Sequence, residues 1–439
     1  MSRILKTILL LTIFFSLELS SPVKLSSGNS KPPAKDCLLG ITPRLCNSDF
    51  YNEDYSSIDQ KVEKFKKYWG LKGVSLAIAK DGKLIYAKGY GYSNEENREV
   101  VEPYSRFRVA SISKLVTAAA IMKLVEEQKL SLNDKVFGSN GILNNPYYGI
   151  AQDQRIYNIT VRDLLHHAGG WRAHYGDQLF MSDYIAKSLN VPKPLKIDDI
   201  IRFVYTKSLH FTPGTKSSYS NFGYALLGLI IEKLTNEPYE DYVRATILKP
   251  LGITSMTIGR STRDSMLTDE VAYYEVPEAR KITPYYAQTG LVSKSNGGND
   301  IRLLGAAGGW VSSSVDLIKL ALSLDGENTV PDLLSKNTID TMVIRPKGFL
   351  PIGWIRATEE GRFVRTGNFA GTSTILVKEP NGICWVFLTN TSPWCGSKFQ
   401  GKINVFMHGV LNSIPTLAHP DNTSGKPEEE IEEEEVSLN

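Results

Sequence analysis

The sequence predicts an α+β fold in which an antiparallel sheet is flanked by helices and an all-α lobe is inserted. Two features predict the sheet, because the turn pairs Asp81-Gly82 and Asn381-Gly382 each separate two apolar runs. Such pairs are strong signals for a β-hairpin. The third feature lies between them, where residues 130–305 alternate loops with segments of helical apolar spacing. Strands at both ends and helices in the middle indicate one sheet built from two distant parts of the chain.

Each element follows from a local pattern. Ile58 to Trp69 has helical spacing of apolar residues, and residues 112–125 are apolar nearly all round, which is typical of a buried helix. A serine before Asp316 is a candidate helix cap. The other predicted elements are strands at 74–79 and 84–89, helices at 161–166, 224–234, 239–247 and 312–324, strands at 363–366, 372–377 and 383–388, and a closing helix at 402–411.

Composition excludes several classes of protein. The 439 residues are 42% hydrophobic and 22% charged, which are ordinary globular values. A wholly disordered, collagen-like or multi-spanning membrane chain is therefore excluded. The net charge is +3, and setting aside the leader's net +1 and the seven glutamates of Glu428–Glu435 leaves +9 on residues 22–427. That surplus is modest and forms no dense basic run, so nucleic acid is not a predicted partner.

The N-terminal segment predicts a secreted, extracellular protein. Arg3 and Lys6 precede an apolar stretch from Ile8 to Leu17, which is too short to span a bilayer and is typical of a signal peptide. An uncleaved anchor is the alternative. The predicted organisation is a signal peptide at 1–21, a linker at 22–54, a main domain at 55–415 and an acidic disordered tail at 416–439. The main domain divides into an α/β lobe at 55–110 and 306–415 and a helical lobe at 111–305.

Cysteines and glycosylation sequons fit the same compartment. The four cysteines form two close pairs, Cys37 with Cys46 and Cys384 with Cys395, so local disulfides are expected behind a signal peptide. Four buried free thiols are the alternative. Glycosylation sequons begin at Asn158, Asn390 and Asn422, although Asn390 ends a predicted core strand, where a glycan would fit badly.

A serine and a lysine share one face at the start of the buried helix. Ser111 and Lys114 are three residues apart, so their side chains project from the same side. A lysine whose pKa is lowered by burial and by neighbouring cations can take the proton of a serine hydroxyl. The helix N-terminus also offers backbone N–H groups to an oxyanion. Ser21 and Lys24 have the same spacing, so the spacing alone is not specific. Ser111 and Lys114 are singled out by their position at the start of a helix.

A second pair of residues begins another apolar helix. Tyr219 supplies a second proton-transfer group, and Asn221 can hydrogen-bond a substrate amide or the lysine. A buried tyrosine with only a structural role is the alternative for Tyr219.

A third group ends a predicted strand. It runs from Arg365 through Thr366 and Gly367 to Asn368. The arginine would hold a substrate carboxylate and keep the lysine deprotonated, and the glycine would let substrate backbone approach. An exposed strand arginine is the alternative.

In this order, the three groups resemble the motif set of the serine β-lactamase and penicillin-binding protein superfamily. The resemblance is closest to its class C branch, with D-Ala-D-Ala carboxypeptidases, related esterases and the LACTB-like proteins. It covers roughly residues 55–412 and extends to Phe107–Ala110, Leu164–Gly170, Phe211–Gly214 and Ala307–Trp310. It implies a β-lactamase/transpeptidase-like fold.

The resemblance also implies a role for each site residue. Ser111 would be the acylated nucleophile, with Lys114 and Tyr219 sharing general-base and general-acid catalysis. Asn221 would position the substrate, and the N–H groups of Ser111 and Asn368 would form an oxyanion hole. His167 would be structural. The third group usually begins with Lys or His in this family, so Arg365 is a departure that bears on the class of substrate.

The predicted function is a secreted serine hydrolase that forms an acyl-enzyme on Ser111. Its partner would be a small-molecule or peptide substrate with an amide or ester bond, such as a peptide, a D-amino-acid derivative or a small ester. No G-x-S-x-G or P-loop competes, and the six histidines show no metal-ligand spacing, so no cofactor or metal is predicted. The alternative is a secreted extracellular-matrix or binding protein that keeps the fold with little turnover and binds Ca²⁺ or a charged surface through its acidic tail.

Overall fold

Strands from two distant parts of the chain form one antiparallel sheet. The computed structural model of the protein describes residues 45–50, 55–286, 290–414 and 417. Its strands are β1 (Gly73–Lys80), β2 (Lys83–Asn94), β3 (Glu99–Val100), β4 (Phe107–Arg108), β5 (Thr257–Ile258), β6 (Trp310–Ser312), β7 (Arg356–Ala357), β8 (Phe363–Phe369), β9 (Thr372–Lys378) and β10 (Ile383–Thr389). Seven of them form the main sheet in the order β3-β2-β1-β10-β9-β8-β7, and the other three form a small sheet in the order β4-β6-β5.

Helices separate the two groups of strands and also flank the main sheet. They are α1 (Ser56–Trp69), α2 (Ser113–Glu126), α3 (Val161–Leu165), α4 (Ser182–Leu189), α5 (Ile197–Tyr205), α6 (Asn221–Thr235), α7 (Tyr239–Val243), α8 (Ile301–Gly308), α9 (Ser314–Leu322), α10 (Lys336–Val343) and α11 (Phe399–Leu411). The α+β prediction is confirmed, and so are both hairpins and the buried helix, which is α2. Of the described helices, none combines the length and apolar character needed to cross a membrane.

The pairing of β1 joins the two ends of the sheet. Ala77 lies opposite Ala87 of β2 on one side and opposite Val386 of β10 on the other. The β1–β2 turn has positive φ at Asp81 (49°) and Gly82 (76°), the combination that a tight hairpin between right-twisted strands requires. The predicted register-setting turn is therefore present.

Alternate residues of the central strands face two separate apolar layers. Leu76 of β1 and Phe387 of β10 pack toward α1 and α11. Ala77, Val386 and Leu388 point the other way, toward the layer that holds α2 and α9. This alternation follows from the two-residue repeat of a strand, and it leaves the central strands buried on both faces.

The predicted Cys384–Cys395 disulfide is wrong. Both thiols are free, as is that of Cys46, while Cys37 lies outside the described residues. Cys384 packs in the layer of α2 and α9, whereas Cys395 packs against the layer of α1 and α11. The two side chains therefore lie on opposite faces of the main sheet, which does not allow the close approach that a disulfide needs.

Two further predictions need correction. The end of the predicted linker is part of the fold, because Asn47 donates to the Val101 carbonyl and accepts from the Gly89 N–H, both at 2.8 Å. Asn390 cannot carry a glycan in this fold, since it is fully buried and its Nδ2 donates to the Tyr92 carbonyl at 3.0 Å.

Several predictions are not tested by the described residues and remain predictions. Asn158 is exposed, so glycosylation there remains a prediction, as does the division into two lobes. The leader at 1–21, Asn422 and all of the acidic tail except Leu417 lie outside the described residues.

Candidate active site

Ser111 lies at a backbone bend between β4 and α2. Ala110 has φ +46°, which is uncommon for a residue with a Cβ atom, and Ser111 follows it in a short 3₁₀ turn. The bend is held from the sheet, because the Thr374 hydroxyl on β9 donates to the Val109 carbonyl at 3.1 Å. Gly367 on β8 packs against the same point, where a Cβ atom would come within 2.3 Å of the Val109 oxygen. The glycine therefore makes room for the protein's own backbone, and its approach to substrate backbone stays a prediction.

Lys114 is fully buried one turn into the helix, directly behind the serine. Its ammonium group donates to Ser111 Oγ at 3.2 Å, to Asn221 Oδ1 at 2.6 Å and to the Ala307 carbonyl at 2.7 Å. The predicted shared face of Ser111 and Lys114 is thus realised. Two of the three acceptors come from other elements, so α6 and α8 fix the direction in which the amine points.

Tyr219 closes the other side of the serine. Its hydroxyl donates to Ser111 Oγ at 2.8 Å and accepts from Arg365 Nη2 at 2.8 Å. The Lys114 ammonium also lies 4.7 Å from the centre of the tyrosine ring. Ser111 Oγ therefore sits between an amine and a phenol, each within reach of its proton.

Arg365 does not contact the cavity, so its predicted role as a holder of substrate carboxylate is wrong. Its side chain is fully buried and also donates from Nε to the Ser111 carbonyl at 2.8 Å. Thr366 and Gly367 are buried as well. The alternation of β8 explains this, since the arginine extends beneath the serine loop and toward Tyr219. The structure assigns Arg365 to the support of Ser111 and Tyr219.

His167 forms the layer beneath the tyrosine, as its predicted structural role requires. Its ring stacks on that of Tyr219 with centroids 4.5 Å apart, and Nδ1 accepts the Ser220 N–H at 3.0 Å. Burial, reinforced by the nearby cations Lys114 and Arg365, holds the pKa of His167 well below its usual range. The ring is therefore neutral at physiological pH, which its acceptor role at Nδ1 needs.

The backbone of Asn221 is held by a carboxylate that no sequence pattern singles out. Asp177 Oδ2 accepts the Asn221 N–H at 2.9 Å, and Oδ1 accepts the Leu179 N–H at 3.0 Å. Burial raises the pKa of Asp177, while these two hydrogen bonds and Lys114 oppose that rise. Asp177 precedes a short 3₁₀ turn, and the only local signal is a cap preference, which many surface aspartates share.

A large cavity opens in front of the serine. It has a volume of about 1310 Å³, and Ser111, Tyr219, Asn221 and Asn368 all line it. These are the predicted site residues that substrate can reach, whereas Lys114 and Arg365 act from behind them. The wall also carries apolar side chains, namely Leu179, Phe180, Val276, Ile282, Leu291, Phe369 and Trp394. In the described ranges, no three histidine, cysteine or acidic side chains come together as a metal site requires.

The chain is similar to known proteins in both sequence and fold. The family model described as Beta-lactamase matches residues 58–406. Protein flp of Staphylococcus aureus (strain N315) is 30% identical over 222 residues, which are 51% of this chain and 42% of the relative. The putative penicillin-binding protein PbpX of Bacillus subtilis (strain 168) is 26% identical over 278 residues, 63% of this chain and 61% of the relative. The chain thus spans only part of the length of these relatives.

Solved structures share the fold. A penicillin-binding protein homologue from Pyrococcus abyssi superposes with a TM-score of 0.57 at 26% identity, covering 77% of this chain and 74% of that chain. The D-amino acid amidase from Ochrobactrum anthropi SV3 superposes with a TM-score of 0.63 at 22% identity, covering 83% and 99%. At 22% identity, the match to the amidase shows a shared fold and nothing more.

Proposed function

Because the chain belongs to the beta-lactamase family, we propose that it is a serine hydrolase that cleaves an amide or ester through an acyl-enzyme on Ser111. One observation carries the proposal. Ser111 Oγ lies at the cavity wall between Lys114 Nζ and the Tyr219 hydroxyl, at 3.2 and 2.8 Å. A nucleophile with two proton-transfer groups in reach has what acyl transfer needs.

Lys114 is the general base in this proposal. Loss of one proton from the Lys114 ammonium group to solvent leaves an amine with two N–H bonds and one lone pair, and the Asn221 and Ala307 oxygens accept at 2.6 and 2.7 Å. Those two acceptors take both N–H bonds, so the lone pair is left to face Ser111 Oγ. The amine then takes the serine proton while Oγ forms its bond to the substrate carbonyl carbon.

Tyr219 and Arg365 serve the leaving group. When the tetrahedral intermediate collapses, the C–N or C–O bond breaks and the departing atom takes the phenol proton of Tyr219. The Arg365 guanidinium, 2.8 Å from that oxygen, stabilises the negative charge that remains. The proton on Lys114 then returns to the phenol oxygen, and a water repeats the sequence in reverse to release the acid and regenerate Ser111.

The developing oxyanion needs two donors. Ser111 lies at the start of a helix, where backbone N–H groups lack intrahelical partners, and Asn368 lies at the cavity wall on the neighbouring strand. We assign the backbone N–H groups of Ser111 and Asn368 to this role.

The cavity favours a substrate with an apolar side chain. Phe180 and Phe369 approach each other with ring centroids 6.3 Å apart, and both line the wall, as do Leu179 and Val276. An amide of an apolar amino acid is therefore the first substrate to test. The apolar leader that follows Arg3 and Lys6 supports a site of action outside the cytoplasm.

One experiment tests the proposal. The purified chain is incubated with a serine-directed fluorophosphonate, p-nitrophenyl esters, D- and L-phenylalanine amides and nitrocefin, beside Ser111→Ala. We expect an adduct on Ser111 by peptide mass spectrometry, and a loss of turnover on the order of 10³-fold or more in the variant.

Ser182→Ala is the matched control, since Ser182 is a serine of the same cavity wall that lies on another element, at the start of α4. It should keep both the adduct and the turnover. An unlabelled Ser111, with equal turnover in wild type and Ser111→Ala, would reject the hydrolase. The rival binding protein would then be tested by calcium titration of the full chain against a variant with the glutamates of 428–435 replaced by glutamine.

A further inference from the structure

One surface of the protein combines exposed aromatic side chains with lysines. Tyr68 at the end of α1 and Trp394 before α11 are each 80% exposed, and Val405 on α11 is 46% exposed. Lys64, Lys398 and Lys402 are exposed around them. We call these six residues the aromatic–basic face.

Helix geometry places five of the six residues on one side of the two helices, and Trp394 joins them because its ring lies 6.2 Å from that of Trp69 at the end of α1. Lys64 and Tyr68 are four residues apart on α1, and Lys398 and Lys402 are four apart at the start of α11, so each pair shares a helix face. The two helices lie side by side in opposite directions, because Phe65 stacks on Phe406 at 4.2 Å and the Lys61 amine donates to the Gly409 carbonyl. The seam between the helices is therefore the centre of the face.

The charged residues of this face are all positive. The sequence of α11 has no acidic residue, and Lys64, Lys398 and Lys402 form no ion pair within the described part of the chain. On α1, Glu63 pairs with Lys66 at 3.1 Å. Unpaired lysines next to exposed tryptophan and tyrosine complement an anionic surface that has an apolar layer beneath it.

We propose that the aromatic–basic face docks on membranes that contain anionic lipids. Tryptophan and tyrosine rings prefer the boundary between water and hydrocarbon, and lysines at that depth are attracted by acidic headgroups. The face continues into the catalytic cavity, because Trp394 and Lys398 also line its wall. Docking there places the mouth of the cavity at the lipid surface, within reach of amphiphilic molecules held in it.

Vesicle sedimentation tests the docking without any assay of turnover. The full chain is mixed with phosphatidylcholine vesicles with and without phosphatidylglycerol. We expect wild type to bind the anionic vesicles and to release them at high salt. Lys398→Glu/Lys402→Glu should weaken that binding by at least about tenfold, and Tyr68→Ala/Trp394→Ala should weaken it by about tenfold.

The control matches the charge change at another site. Lys233 on α6 and Lys249 in the turn after α7 are exposed and belong to elements other than α1 and α11. Lys233→Glu/Lys249→Glu has the same net charge as the first variant and should bind like wild type. Circular dichroism of all variants checks that they are folded.

Three results would overturn the docking surface: no binding by wild type, equal loss in the control, or equal binding by the face variants. A variant that loses heparin binding while no form of the chain binds vesicles would identify a polyanionic partner instead. These outcomes are independent of Ser111, so the hydrolase can fail while the docking holds, and the reverse.

Discussion

The Asp59 cluster and the Ser111 cluster both combine tyrosine with lysine, and they differ in the oxygen at their centre. In the first, Asp59 on α1 accepts from the Tyr86 and Tyr90 hydroxyls at 2.6 and 2.8 Å and from the Lys88 amine at 2.6 Å. In the second, the serine hydroxyl of Ser111 occupies the place of the carboxylate. The first cluster joins a helix to the sheet, and the second faces the cavity.

The central oxygen determines whether the cluster can exchange a proton. Burial opposes the ionisation of Asp59, but the hydrogen bonds from Lys88, Tyr86 and Tyr90 outweigh it and lower the pKa. Burial and the adjacent carboxylate raise the pKa of both tyrosines. Both phenols therefore keep their protons near neutral pH, so the cluster is an anchor. A neutral hydroxyl between an amine and a phenol has a proton to exchange, so the same residue types form a reactive centre.

The largest difference between the two clusters is expected when the lysine of each is removed. Lys114→Ala deletes the proposed base, and we expect kcat/KM for the best ester or amide to fall on the order of 10³-fold. Lys88→Ala deletes the equivalent amine of the anchor, and we expect unchanged kcat/KM with about 1 kcal/mol less stability. Steady-state kinetics and urea unfolding of both variants measure this. Equal kinetic losses in the two variants would mean that the contrast is wrong.

Loss of the carboxylate should affect stability alone, in a pH-dependent way. Asp59→Asn is expected to lower the free energy of unfolding by about 1–2 kcal/mol at pH 7. The folded pKa of Asp59 is lowered, so its contribution is present above the unfolded value of about 3.9 and disappears as the pH falls through the folded value. The gap between wild type and variant in urea unfolding should therefore be constant from neutral pH to about pH 5 and shrink below about pH 4.

The exposed Asp264 provides the matched control for this pH dependence. Asp264→Asn should show almost no gap at any pH. A gap for Asp59→Asn that does not change with pH would indicate that the effect comes from packing and not from the charge.

The sequence was sufficient where a local spacing determines the geometry. The three-residue spacing of Ser111 and Lys114 placed both on one helix face, and the turn pair at Asp81-Gly82 defined a hairpin. These features depend on a few neighbouring residues and on the 3.6- and two-residue repeats of helix and strand. The motif containing Tyr219 was placed correctly at a helix start for the same reason.

The sequence was insufficient to place side chains whose position depends on the packing of distant segments. Cys384 and Cys395 are close along the chain, yet they pack on opposite sides of the sheet. Arg365 is on a strand that borders the cavity, yet it extends beneath the serine. Asp177 reaches Asn221 from 44 residues away. Each of these needs the register of distant segments, which no local pattern contains.

The smallest effect is expected for a substitution of Arg365, which supports the Ser111 cluster from behind. Its Nε and Nη2 atoms hold the Ser111 carbonyl and the Tyr219 hydroxyl, both at 2.8 Å. A lysine has one nitrogen and cannot reach both with the same geometry, but it keeps the charge. Arg365→Lys should therefore lower kcat by about tenfold. KM should stay the same, because the side chain is buried and does not line the cavity. Separate measurement of kcat and KM is decisive: a raised KM with unchanged kcat would return Arg365 to direct contact with substrate.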